Sequence, residues 1–176
     1  MYRKLYTCFQ GKTYDFSPFF GVLWSKSGSQ DTLKRYDSSL EYVDNPFLLQ
    51  QREVDDIANS NKSYGVRLYI RLLIFCCKYF YPLAFLLSHL RLRIYSNAAE
   101  ACLVFRELAK GEQRLLCLPR SIFMATTSKR FKHHGAMYIG VFLPSRHMHA
   151  WVIEDGMHTD ILDDCWIEYT PVSVMK

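Results

Sequence analysis

The run from Val66 to Leu92 constrains this fold more than any other segment. Between Leu72 and Leu87 the only charge is Lys78. A bilayer-crossing helix needs about 20 apolar residues without a central charge. Here Arg67 and Arg71 stand on one side, Arg91 and Arg93 on the other, and Pro82 falls in the middle. The segment therefore reads as two buried helical pieces kinked at Pro82. The competing reading is association with a membrane through residues 66–95.

The rest of the chain can support such a core. Of 176 residues, 49% are apolar, 22% charged and 15% aromatic, the balance of a globular protein with aromatic surplus for core or partner surface. Length suits one domain, or one domain with a small appendage. The net charge of +5 is unevenly placed. Residues 61–135 hold 13 basic and 3 acidic residues, whereas residues 136–176 hold 2 basic and 6 acidic. A cationic stretch can face nucleic acid, an anionic membrane or an acidic peptide. Here the bases are scattered through apolar helices, which points to solvated helix faces and no nucleic-acid partner.

The six cysteines (Cys8, Cys76, Cys77, Cys102, Cys117 and Cys165) form no CxxC pair, so zinc-ribbon and thioredoxin motifs are excluded. No secretory signal is recognised at Met1, so free thiols in a reducing cytoplasm are expected.

Residues 1–60 mix aromatic and polar residues, with short strands expected at 2–9 and 19–24 and a helix from Leu48 to Ala58 after Asn45-Pro46. They read as a small N-terminal module ended by the linker Asn59-Ser60-Asn61; residues 61–176 form the second domain. Asn97 to Lys110 is a helix: Asn97 and Glu100 have capping-box spacing, Cys102, Phe105 and Ala109 recur on one face, and Gly111 ends it. Pro119 favours a first helical turn, so a helix opens beside Cys117 and runs to Gly135, taken as a left-handed terminator. Strands follow at Ala136–Phe142 and His147–Ile153, separated by the turn Leu143-Pro144-Ser145-Arg146. Glu154-Asp155-Gly156 makes a hairpin to a third strand over Met157–Leu162. The tail from Trp166 to Val174 is expected to add an edge.

The resulting order is cysteine at a helix start, strand, histidine on a second strand, then an acid. A helix N-terminus favours the thiolate, the reactive form of cysteine, and its N–H groups can stabilise a tetrahedral oxyanion. A strand fixes the imidazole of His149, which can protonate a leaving amine. An acid on the other ring nitrogen selects the tautomer; the hairpin brings 160–163 opposite His149, making Asp160 and Asp163 the candidates. Each residue alone also has a structural reading: a small buried thiol, a core histidine, a solvated aspartate. A zinc site from His147 and His149 with Cys117, His158 or Asp160 is a further alternative. His133 and His134 close a helix, where cations suit the dipole.

Cys117-Leu118-Pro119-Arg120-Ser121, then Gly135, Tyr138-Ile139-Gly140-Val141, His149-Ala150-Trp151-Val152 and Asp155-Gly156 resemble the B proteins of lasso-peptide biosynthesis, which are transglutaminase-like leader peptidases. The match covers residues 117–156; the apolar helices at 66–110 are similar to the family's helical lead-in, and residues 1–60 match loosely. The resemblance implies an α+β fold with a papain/transglutaminase-like core and a divergent leader-recognition module over 1–60. It implies a cysteine protease that frees a ribosomally made precursor from its leader. The partners implied are that precursor and an asparagine-synthetase-like cyclase, which would dock on the apolar surface of 66–95 and consume the ATP; this chain would need no cofactor or metal. Cys117 and His149 carry over directly. The family's acid would fall on Ile161, so the match is displaced; Asp160 needs the smallest shift and is chosen, with Asp163 as rival. An inactive peptide-binding module and an acyl transferase acting on an amine remain as alternatives.

Overall fold

The computed structural model describes residues 2–4, 7–9, 12–17, 22–27, 64–109, 117–142, 147–159 and 169–176, the first four segments by backbone path alone. Their elements make an α+β protein. In chain order they are β1 (Tyr2–Lys4), β2 (Thr7–Phe9), β3 (Lys12–Ser17), β4 (Val22–Ser27), α1 (Tyr64–Tyr79), α2 (Tyr81–Leu87), α3 (Ala98–Leu108), α4 (Cys117–Thr127), α5 (Phe131–His134), β5 (Gly135–Phe142), β6 (His147–Glu154), β7 (Met157–His158) and β8 (Thr170–Met175). Two antiparallel sheets result, ordered β1-β8-β5-β6-β7 and β2-β3-β4.

The apolar run departs from expectation in two ways. The helix breaks at Phe80, two residues before Pro82, which sits in the first turn of α2, where its missing N–H costs nothing. The pieces are also only half buried. In α1 Val66, Ile70, Leu73 and Cys76 face inward, whereas Tyr64, Leu68, Phe75 and Tyr79 are exposed.

The α3 cap forms much as foreseen. Asn97 Oδ1 accepts from Glu100 N at 2.8 Å, and Glu100 reaches back to Ser96 N at 2.8 Å, one residue earlier than in the standard box. Almost every residue from Ala98 to Phe105 is buried, so α3 is central.

The helix opening at Cys117 stops at Thr127 and restarts as α5. Thr126 and Thr127 turn their hydroxyls back onto Ile122 O and Phe123 O, at 2.8 and 2.6 Å. The carbonyls of the last turn then accept from outside: Leu92 N donates to Thr126 O at 2.8 Å and Tyr95 N to Thr127 O at 2.9 Å. Gly135 is extended (φ −109°, ψ 151°), not left-handed. Glycine is required there by contact, since an added Cβ would lie 2.7 Å from Phe131 Cα.

The hairpin after β6 is as expected. Asp155 (φ 54°) and Gly156 (φ 77°) form a two-residue turn in which both positions need positive φ, the setting that favours Asp-Gly. The tail strand is not an edge: β8 lies between β1 and β5, with Val172 and Val174 buried. Pro171 stands at the β5–β8 register shift, where a missing donor is tolerated. Through β1, the first strand of the chain joins this same sheet, across the boundary drawn at residue 60. The Leu48–Ala58 helix, the Asn59-Ser60-Asn61 linker, Gly111 and the turn at Leu143–Arg146 lie outside the described residues.

Candidate active site

α4 is the hub of the helical layer. Ile122, Phe123, Met124 and Ala125 are buried, and the Phe123 ring meets Phe105, Tyr95 and Tyr69 at centroid distances of 5.6, 5.9 and 6.0 Å. Three separate segments thus clamp the helix whose first residue is Cys117. The first four N–H groups of a helix find no partner within it, and Pro119 occupies one of those positions with no N–H to satisfy. Ser121, one turn on, buries a hydroxyl that has no hydrogen-bond partner among the described residues.

Cys76, Cys77, Cys102 and Cys117 are all outside disulfides. Cys76 and Cys102 are buried, whereas Cys117 is partly exposed. Burial first, then the neighbouring Cys76 and Cys117, push the Cys77 thiol up to about 12. Cys77 therefore stays protonated at neutral pH.

His149 is buried, at 6% exposure, in β6. Leu118, next to Cys117, and Met148, next to His149, both pack against one apolar cluster of Ile139, Val141, Ala150 and Val172. The helix start and the histidine strand thus meet through their immediate neighbours. Strand alternation turns His149 itself away from Ala150, onto the other sheet face. There its ring lies 6.1 Å from Trp151, nearly parallel at 15°, and 5.1 Å from Tyr169; Trp151 in turn stacks on Tyr138 at 5.6 Å. His147, on the same face, places Nδ1 2.8 Å from the Tyr169 hydroxyl. This row of rings restricts how the imidazole can turn. Among the described residues, β6 pairs on its outer side only at Ile153 and Glu154.

Asp160 and Asp163 lie outside the described residues. So does any zinc set that includes Asp160; among the described residues no group of three or more His, Cys, Asp or Glu side chains could hold a metal ion. His133 and His134 do close a helix, α5, and His134 Nδ1 lies 3.2 Å from Asp155 Oδ1.

Two residues escaped the sequence reading. Tyr169 reaches His147 and His149 only because β8 inserts next to β5, a placement with no local signal. Glu154, read as part of a turn, is buried and accepts from Ala98 N at 2.8 Å and Ser128 Oγ at 2.6 Å, tying the end of β6 to the start of α3 and to the α4–α5 junction. Ser128 Oγ also receives Arg130 N and Phe131 N, at 3.2 and 3.3 Å. A carboxylate on a helix N-terminus is the favourable end of the dipole.

No protein-family model, curated protein or solved structure matches this chain.

Proposed function

We propose that this chain is a cysteine peptidase with a papain/transglutaminase-like core, which removes the leader from a ribosomally made lasso-peptide precursor before a partner cyclase closes the ring. The observation carrying this reading is the shared cluster beneath Leu118 and Met148, which sets a cysteine-led helix against the strand of the histidine. His149 faces away from that cluster, so in this reading the thiol and the imidazole meet around the outer edge of β6.

In this scheme the Cys117 thiolate attacks the carbonyl that ends the leader, and the oxyanion forms against the N–H groups opening α4. His149 protonates the departing amine of the core peptide, the carbon–nitrogen bond breaks, and a thioester remains. Water, deprotonated by His149, hydrolyses the thioester and restores the thiol. The product is a peptide with a free amine, the group that macrolactam closure consumes. Asp160 is proposed as the residue orienting His149, with Asp163 as rival.

The test is cleavage of a precursor peptide, with the cyclase present, followed by mass. Cys117→Ala and iodoacetamide each abolish leader removal, a loss of at least about 10³-fold as expected for a nucleophile, while EDTA leaves it intact. Full activity of Cys117→Ala rejects the scheme. Peptide binding without turnover in the unmodified protein identifies an inactive binding module, and a product carrying an added amine identifies acyl transfer. Parallel Asp160→Ala and Asp163→Ala variants assign the acid; loss only in Asp163→Ala moves the role to that residue.

A further inference from the structure

The exposed side of α1 lies within the 66–95 surface that the peptidase reading offers to the cyclase, but its composition plays no part in the peptide-bond chemistry. At about 100° per residue, Tyr64, Leu68, Leu72, Phe75 and Tyr79 fall within roughly 80° of one another. All five are exposed, Tyr64 at 80% and Phe75 at 57%. Arg67, Arg71 and Lys78 occupy roughly the next 40° of the wheel, on one flank, and are exposed as well. The opposite face of the helix is committed to the core, where Tyr69 bonds to Thr126 at 3.1 Å. α1 is therefore clamped on one side and presents an apolar arc with a cationic border on the other.

The exit from α2 repeats the pattern. Leu90, Leu92 and Ile94 are exposed, interleaved with exposed Arg91 and Arg93. From Tyr64 to Ala99 there is no acidic residue. Exposed apolar clusters on this scale mark interaction sites.

From this arrangement we infer that α1 and residues 89–94 form a membrane-surface contact, with anionic phospholipid as the occupant. Charge complementarity decides between occupants. A bilayer interface offers an apolar layer beside a sheet of phosphates, which matches rings bordered by arginines that reach outward to headgroups. Among the described residues no helix is long and apolar enough to cross a membrane, so the helix lies in the interface plane. Its 16 residues extend about 24 Å.

The experiment is flotation of the full chain with phosphatidylcholine vesicles, with or without phosphatidylglycerol. Binding appears on the anionic vesicles at least about ten-fold above the neutral ones and weakens as salt rises. Phe75→Glu lowers it by about ten-fold or more, from the lost burial of one ring. Arg67→Gln and Arg71→Gln each lower it about five-fold. All three positions are exposed, and far-ultraviolet dichroism confirms that each variant is folded. Equal binding to both vesicle types, no binding to either, or full binding by Phe75→Glu overturns the assignment. Capture of an acidic peptide without vesicle binding also overturns it, by making the face a protein-docking surface. Cys117→Ala keeps the vesicle binding, so the result stands apart from the peptidase reading.

Discussion

Tyr95 shows how a single atom can sit badly in a well-packed core. Its ring is buried against Phe123, but its hydroxyl is buried with no hydrogen-bond partner among the described residues. Leaving a buried hydroxyl unpaired costs about 1–3 kcal/mol, which removal of the oxygen recovers in part. Tyr95→Phe is therefore expected to hold or raise stability, by about 1 kcal/mol, in urea denaturation at neutral pH. The same burial, then the charge of Glu100, push the phenol up to about 12 from 10.0. A folded-state value above the unfolded one means that the unfolded chain ionises first. The phenol's contribution is intact below pH 10.0 and drains away as pH climbs towards about 12. Tyr95→Phe removes that share of the alkaline loss, so its stability falls less steeply over this range; an unchanged alkaline slope would contradict the account.

At the level of elements, the break between α4 and α5 is set by hydroxyls that bond their own helix and by a neighbouring segment that takes up the last carbonyls. Gly135 follows from the same geometry. Its backbone is in a region open to any residue, so the cost of a side chain there is steric, against Phe131. Gly135→Ala is expected to destabilise the fold by about 1–3 kcal/mol, the range for overpacking, read as a lowered midpoint in thermal or urea unfolding. A left-handed terminator would have made the same substitution costly for a torsional reason. Phe131→Ala in the Gly135→Ala background separates the two, because it removes the ring atoms the new Cβ would meet, though not Phe131 Cα, and so offsets part of a steric penalty and none of a torsional one.

For the molecule as a whole, one buried carboxylate joins the two layers. Glu154 ends a strand, accepts from the first N–H of α3, and accepts from the Ser128 hydroxyl that itself caps α5. Glu154→Gln keeps the shape but turns one acceptor into a donor, so one of the two bonds is lost. The expected cost is about 2 kcal/mol, within the range for bonds to a charged group, with a matching fall in melting temperature. If thermal unfolding of the variant coincides with that of the parent, the carboxylate is not a tie.

Local chemistry made much of this legible. The Asn97 cap, the Asp155-Gly156 turn, the helix opening at Cys117 and the strand around His149 each depend on residues within a few positions of one another, and each appears where the residues place it. The exposed half of α1, the interior position of β8, the ring of Tyr169 against His149 and the role of Glu154 could not be read this way. Hydrophobicity says that a side chain prefers burial, but the number of partners that reach it decides whether burial happens. Leu73 and Phe75 are both strongly apolar, and only the arrival of α3 and α4 on one side of the helix sends the first inward and leaves the second at the surface. Order along the chain thus prescribed the elements and the residues they carry, while contacts between distant segments chose which faces meet, because those free energies exist only once the layers have come together.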